Sequence, residues 1–303
     1  MKTLHFVKMV AAGNDFLVLD GRADPSLTRL GSELARQLCP RRFAVGADGL
    51  LILDPPEREG CLFAMRYFNA DGSRGAMCGN GARALALYAR EEWGLFDREA
   101  RFTTDAGECG ALMEPDGRVR LSMPPGRVLA ASLRAEGLAG RAWEGAWIDS
   151  GVPHFVAWIE QAEALERVDI QNEGAFLRRH PAFGAAGANV NFAAPRDDGG
   201  EASPCCAVRT YERGVEAETL GCGSGAVAVA AARLLALGQR EGRVRVATRS
   251  GETLEIDLKL RDKRLEEVYL TGSAQRTFQG WVKADAENTE QPLRSPQQAV
   301  SGK

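Results

Sequence analysis

The chain has 303 residues, 45% hydrophobic and 26% charged, with a formal charge of −3, which leaves room for two domains of about 100–150 residues and no electrostatic footprint for nucleic acid. Seven scattered cysteines, without a Cys-x-x-Cys pair and with only three histidines, do not make a secreted disulfide framework and point away from zinc. No run approaches the roughly 18 apolar residues of a membrane helix, and His5 and Lys8 interrupt the amino-terminal stretch before a signal-peptide core forms, so a cytoplasmic protein with reduced thiols is expected.

From the amino terminus, residues 4–20 read as two strands around a turn at Gly13-Asn14-Asp15. Residues 28–38 have helical spacing, with Leu30, Leu34, Ala35 and Leu38 on one face. The glycine turn Gly46-Ala47-Asp48-Gly49 feeds an apolar strand, Leu50–Leu53, and a further strand runs from Phe63 to Phe68. After Cys78 a helix is predicted from about Gly81 to Trp93, stopping at Gly94. Strands follow around 101–104, 108–114 and 119–123, with Pro115-Asp116-Gly117 as a hairpin turn.

The same succession then repeats. Segments 146–150 and 154–159 flank a turn, Ala207–Tyr211 answers the strand ending at Tyr67-Phe68, and a helix from Ala226 to Leu237 ends at Gly238. Strands at 244–248, 252–260 and 268–271 close the unit. The expected boundary is near Pro124-Pro125, giving domains 1–124 and 125–273, with a strand at about 274–282 returning to the first. The polar stretch 283–303 reads as a disordered tail.

Cys78-Gly79-Asn80-Gly81-Ala82 and Cys222-Gly223-Ser224-Gly225-Ala226 are near copies, 144 residues apart. Tyr67 and Tyr211 each precede their cysteine by eleven residues, the mark of an internal duplication. Each cysteine falls at a strand-to-helix junction, where free N–H groups and the partly positive helix end favour a thiolate and can hold a carboxylate. Glycine beside it leaves the backbone open to a ligand. A single Cys-Gly-x-Gly is more often a buried packing residue, but packing alone does not call for flanking glycines in both copies. Cys39, Cys61, Cys109, Cys205 and Cys206 lack this context and read as structural.

These motifs resemble the diaminopimelate epimerases. Asn69-Ala70-Asp71-Gly72-Ser73, four residues, then Cys78-Gly79-Asn80-Gly81-Ala82-Arg83 is similar to that family's first active-site signature. Tyr211-Glu212-Arg213-Gly214 through Glu218-Thr219 to Cys222-Gly223-Ser224-Gly225 is similar to the second, and Gly13-Asn14-Asp15-Phe16 and Asn189-Val190-Asn191-Phe192 also match. The resemblance spans roughly residues 4–282. It implies an α/β (α+β) fold of two pseudo-symmetric domains, each a curved, mostly antiparallel sheet around a central helix. It also implies an isomerase that interconverts LL- and meso-diaminopimelate without pyridoxal phosphate, metal or other cofactor, as a homodimer, in lysine and peptidoglycan precursor synthesis. Cys78 and Cys222 would be the two bases on opposite faces of the α-carbon. The N–H groups around Gly79-Asn80 and Gly223-Ser224 would hold the α-carboxylate. Arg213 would pair with the distal carboxylate, assisted by Asn69 and Asn189; Glu212 would hold an ammonium, and Asn14 would line the site.

One position departs from the pattern: where many relatives read Gly-Asn-Pro-His, this chain has Gly151-Val152-Pro153-His154, and valine has no amide to donate. His154 reads as structural or supporting. An adjacent Glu-Arg is ordinarily a surface ion pair, but Glu212-Arg213 occupies the register of Phe68-Asn69, at the candidate site. The nearest alternative is a proline racemase-like enzyme, whose first loop typically carries histidine where this chain has Asn80. A thiol redox or ligand-binding protein is the alternative from another class, and the wide separation of Cys78 and Cys222 in sequence argues against a redox pair.

Overall fold

Short apolar runs closed by glycine turns become eighteen strands and six α-helices in the computed structural model, which describes residues 1–197 and 203–285. In the first half these are β1 (Lys2–Ala11), β2 (Asn14–Asp20), α1 (Ser26–Arg29), α2 (Gly31–Leu38), β3 (Gly49–Asp54), β4 (Phe63–Asn69), β5 (Arg74–Gly75), α3 (Gly79–Trp93), β6 (Glu99–Thr104), β7 (Gly107–Met113), β8 (Val119–Ser122) and β9 (Gly126–Glu136). The second half contains β10 (Ala142–Asp149), β11 (Pro153–Trp158), α4 (Ala162–Leu165), α5 (Ile170–Leu177), β12 (Asn189–Arg196), β13 (Cys205–Glu212), β14 (Ala217–Thr219), α6 (Gly223–Ala236), β15 (Glu241–Ala247), β16 (Thr253–Arg261), β17 (Arg264–Gly272) and β18 (Gln275–Ala284). Of the expected tail 283–303, Lys283 and Ala284 instead end β18, paired with Thr3 and Lys2 of β1, and the residues beyond 285 lie outside the described residues.

The duplication is visible in the strand pairing. β2 and β3 are parallel, as are β11 and β12; β4 and β6 are parallel, as are β13 and β15. Every other pair is antiparallel. Each set of strands surrounds one long helix. α3 is buried from Asn80 to Ala89 among side chains such as Val18, Leu51, Phe63 and Phe102. α6 is enclosed by Ile148, Val156, Val246 and Ile256 among others. A helical stretch apolar on all sides, as residues 84–89 of α3 and most of α6 are, is stable only inside a core, and the alanines of both helices keep them thin enough for strands to close around them.

The two halves are joined by a returning strand: β18, at the end of the second set of strands, pairs with β1 of the first, while β9, which follows Pro124-Pro125, pairs with β10 and β17 of the second. β8 and β17 complete the seam, with Leu121 opposite Leu270.

Two local expectations change. Helix 28–38 is two pieces, because Leu30 (φ −91°, ψ 2°) leaves the helical region. The break lays the Gly31 backbone on the Phe68 ring, where a Cβ would come within 2.2 Å. The first hairpin turns at Ala12 and Gly13, both at positive φ (48° and 82°), so Asn14 opens β2 instead of sitting in the turn. β9 and β12 were not legible as strands: β9 is mostly half-exposed, and β12 is an almost continuous buried run without alternation.

Candidate active site

Cys78 caps the N-terminus of α3 and Cys222 that of α6, both in extended conformation. Each sulfur accepts the backbone N–H three residues on, from Gly81 and Gly225, at 3.4 Å. The two helix ends meet: a Cβ on Gly223 would lie 3.8 Å from the Gly79 Cα and 3.7 Å from Asn80 Oδ1. Two partly positive helix ends therefore converge on one space, where an anion is favoured. The flanking glycines serve different ends. At Gly79 a Cβ would meet only Met123, at 3.6 Å, so the backbone stays open to a ligand. At Gly225 it would meet Asn191 Oδ1 at 2.5 Å, so this glycine makes room for a buried partner.

Asn191 begins a chain of hydrogen bonds ending at Cys222. Its Oδ1 accepts from Thr210 Oγ1 (3.0 Å) and its Nδ2 donates to the Phe155 carbonyl (3.3 Å), which settles which way the amide points. The same Nδ2 donates to His154 Nδ1 at 3.0 Å. His154 is fully buried, and burial, with the Arg213 charge adding, pushes its pKa down to about 3, so the ring is neutral. With Nδ1 accepting, the proton is assigned to Nε2 and donated to Ser224 Oγ at 3.0 Å, in preference to the longer contact from Asn189 Nδ2 to that nitrogen at 3.4 Å. The Ser224 hydroxyl hydrogen is then free to point at Cys222 Sγ, 3.5 Å away. Sequence reasoning assigned His154 a supporting place; its reach to Ser224 was not legible, because parallel pairing of β11 and β12 is what sets His154 beside Asn189.

Around Cys78 the contacts cross between halves. Asn80 donates to Asn14 Oδ1 (2.7 Å) and to the Gly221 carbonyl (2.9 Å), immediately before Cys222. Asn14 in turn donates to Asp48 Oδ2 at 3.0 Å, and Arg41 joins Asp48 to Asp15. Asn69 is held by the Tyr67 hydroxyl (2.6 Å) and donates to Ser73 Oγ (2.9 Å). Asn189 accepts the Arg213 backbone N–H at 2.7 Å. The Arg213 guanidinium reaches only the Ala186 carbonyl (3.3 Å) and pairs with no carboxylate among the described residues, so Glu212 and Arg213 are not an ion pair. Glu212 instead accepts from Thr219 Oγ1 and faces both thiols. Val152 contributes only its carbonyl, which accepts the Ser150 N–H.

The helix-end placement predicts lowered thiol pKa values, and the structure reverses the sign. Burial pushes the Cys78 thiol up to about 11, opposed by the Gly81 N–H and reinforced by the Glu212 charge. Burial also raises Cys222 well above its ordinary value, with Glu212 adding and Ser224 and the Gly225 N–H opposing. Burial, opposed by Thr219, raises the Glu212 carboxyl as well. Desolvation outweighs the helix ends. A thiolate made under those conditions is a stronger base, which suits it to a weak carbon acid.

Elsewhere, a surface concavity of about 580 Å³ lined by Arg101, Arg120 and Tyr269 contains neither cysteine. No cluster of three metal-ligating side chains occurs among the described residues, and no helix there is long and apolar enough to cross a membrane.

Known proteins share this fold and much of this sequence. The fold is that of a hydroxyproline epimerase from Agrobacterium vitis (TM-score 0.68, 16% identity, 92% of each chain covered). It is also that of a PhzF-family phenazine biosynthesis protein from Bacillus anthracis (TM-score 0.70, 14% identity, 94% of this chain and 100% of that one). In sequence the chain is 37% identical to the diaminopimelate epimerase of Aquifex aeolicus, over 91% of this chain and 97% of that protein. It is 37% identical to that of Chlorobaculum tepidum, over 90% and 99%. The family model for diaminopimelate epimerase matches residues 6–128 and 146–277, which include both cysteine-capped helices, and the chain belongs to the diaminopimelate epimerase family.

Proposed function

We propose that this chain interconverts LL- and meso-diaminopimelate by proton transfer between Cys78 and Cys222, without a cofactor. The observation that carries the reading is the convergence of two cysteine-capped helix ends on one space. The α-carboxylate sits across the two helix ends, against N–H groups around Gly79-Asn80 and Gly223-Ser224, with the α-carbon between the sulfurs. One thiolate takes the α-hydrogen; the opposite thiol gives its proton to the other face. The enzyme ends with the ionisation exchanged and the carbon inverted. The helix-end N–H groups hold the charge that spreads onto the carboxylate, and closure around it excludes water. His154, through Ser224, keeps a hydroxyl proton aimed at Cys222. Arg213 takes the distal carboxylate with Asn69 and Asn189 beside it, Glu212 an ammonium, and Asn14 holds Asn80 in place.

Incubation with LL-diaminopimelate or L-proline in deuterated water tests this. Deuterium should enter the α-position of diaminopimelate as the meso isomer appears, and exchange into proline alone would overturn the reading. Because both thiols are raised, kcat/KM should climb about tenfold per pH unit between pH 7 and 9 as the thiolate forms. A profile already level at pH 7 would contradict it.

The rest of the reading concerns organisation. The chain divides near Pro124-Pro125 into units centred on α3 and α6, which hydrogen exchange should detect as two separately protected cores. It acts in the cytoplasm, in lysine and peptidoglycan precursor synthesis, and cell fractionation should recover it there. It is a homodimer, a reading supported by Trp281 on β18, 71% exposed and the kind of large apolar side chain that a lone chain leaves in water. Sedimentation should show twice the chain mass of 32.7 kDa, falling to one with Trp281→Glu.

A further inference from the structure

Among the side chains that the proposed reaction leaves without a task, Arg83 stands apart. It lies in the second turn of α3 with 0% exposure, and its guanidinium meets no carboxylate at ion-pair distance among the described residues. Nε donates to the Ser273 carbonyl (3.3 Å) and Nη2 to Asn80 Oδ1 (3.0 Å), while Nη1 is buried with no partner. Burying a cation this way is expensive and needs a reason.

The duplication supplies a control. Position 83 answers Val227 in the second unit, 144 residues on, and Val227 is buried to a similar degree, at 2% exposure. Packing at this point of the helix is therefore satisfied by an apolar residue, and the charge at Arg83 serves something the second unit does not require.

Two consequences follow from its contacts. By holding Asn80 Oδ1, Arg83 determines which end of that amide faces across the seam. The Nδ2 end is left to reach Asn14 and the Gly221 carbonyl, so one guanidinium ties the Cys78 loop to the residue before Cys222. It is also the cation nearest in effect to Cys78. That sulfur is otherwise faced by the Glu212 carboxylate, the Tyr67 hydroxyl and the N–H groups of Gly81 and Asn80. On its other side Arg83 is faced by Glu252, whose carboxylate is engaged by the Ser273 N–H.

We propose that Arg83 is a positioning residue that holds both cysteine loops in register through Asn80 and supplies the buried positive charge behind Cys78. The inference rests on the two-thiol reading above. Its test is separable from it, because alkylation by iodoacetamide reports the thiolate without turnover.

In R83M, alkylation of Cys78 at pH 8, followed by peptide mass spectrometry, should slow about three- to tenfold. A thiolate fraction reduced by roughly one pKa unit is partly offset by greater nucleophilicity. Cys222 should change less, and kcat should fall about tenfold or more with a smaller change in KM. R83Q, which keeps a donor for Asn80 but no charge, should slow Cys78 alkylation equally while losing less kcat, and it takes the place of R83M should methionine prevent folding. A folded variant of either kind with wild-type Cys78 alkylation and wild-type kcat overturns the proposal. Full epimerase activity in Cys78→Ala would instead overturn the two-thiol reading and leave the alkylation result standing.

Discussion

Cys78→Ala and Cys222→Ala should each lower kcat for epimerisation by about a thousandfold or more, since on the proposed mechanism each removes one of the two groups that move the proton. His154 is neutral and turned toward Ser224, so it does not stand in for either sulfur. The fold should survive. Alanine forfeits one cap hydrogen bond, from Gly81 or Gly225, worth about 1 kcal/mol, against cores in which α3 and α6 are each surrounded by strands. Circular dichroism and thermal melting check the fold; chiral chromatography of LL- and meso-diaminopimelate checks the reaction. Any residual deuterium exchange should be confined to one isomer in one variant and to the other isomer in its counterpart, because the proposed mechanism sets each thiol on one side of the carbon. Near-normal epimerisation by either variant would end the two-base account.

Arg213→Met should raise KM for diaminopimelate about 10- to 100-fold, the loss of a charge-assisted contact of about 1.5–3 kcal/mol. Thermal stability should hardly move, because the guanidinium makes one hydrogen bond, to the Ala186 carbonyl at 3.3 Å. Arg213→Lys should recover only part of the loss, since an ammonium cannot match a carboxylate with a planar fork. An analogue lacking the distal carboxylate separates the explanations: Arg213→Met should bind it as the unaltered protein does. If the analogue's affinity falls as far as that of diaminopimelate, Arg213 acts on the site as a whole and not on the distal group.

What was legible in the sequence was set by forces acting over a few residues. The helix stop at Gly94, whose φ of 56° is left-handed, and the Cys-Gly-x-Gly openings of α3 and α6 follow from backbone freedom and unpaired N–H groups near the helix ends. The duplication was legible because a repeated 144-residue spacing needs no tertiary information. The register of Arg213 against Asn69 points away from a surface ion pair, and it makes none among the described residues.

The tertiary structure decided whatever depends on groups far apart in the chain. Helix 28–38 breaks at Leu30, where the Gly31 backbone meets the Phe68 ring, a partner no local period can announce. Asn80 spans to Gly221, and His154 reaches Ser224, only because strands pair across loops of unrelated length. The sign of the thiol shift reversed for the same reason. A helix end is a local feature and favours the thiolate, but desolvation is summed over everything the fold packs around the sulfur, and here it is the larger effect. From its sequence alone this chain is a duplicated protein with two matched cysteines at helix ends. That those ends meet, that Arg83 and Asn80 bind one to the other, and that the thiols begin as strong, reluctant bases are set by the long-range packing that brings the two copies together.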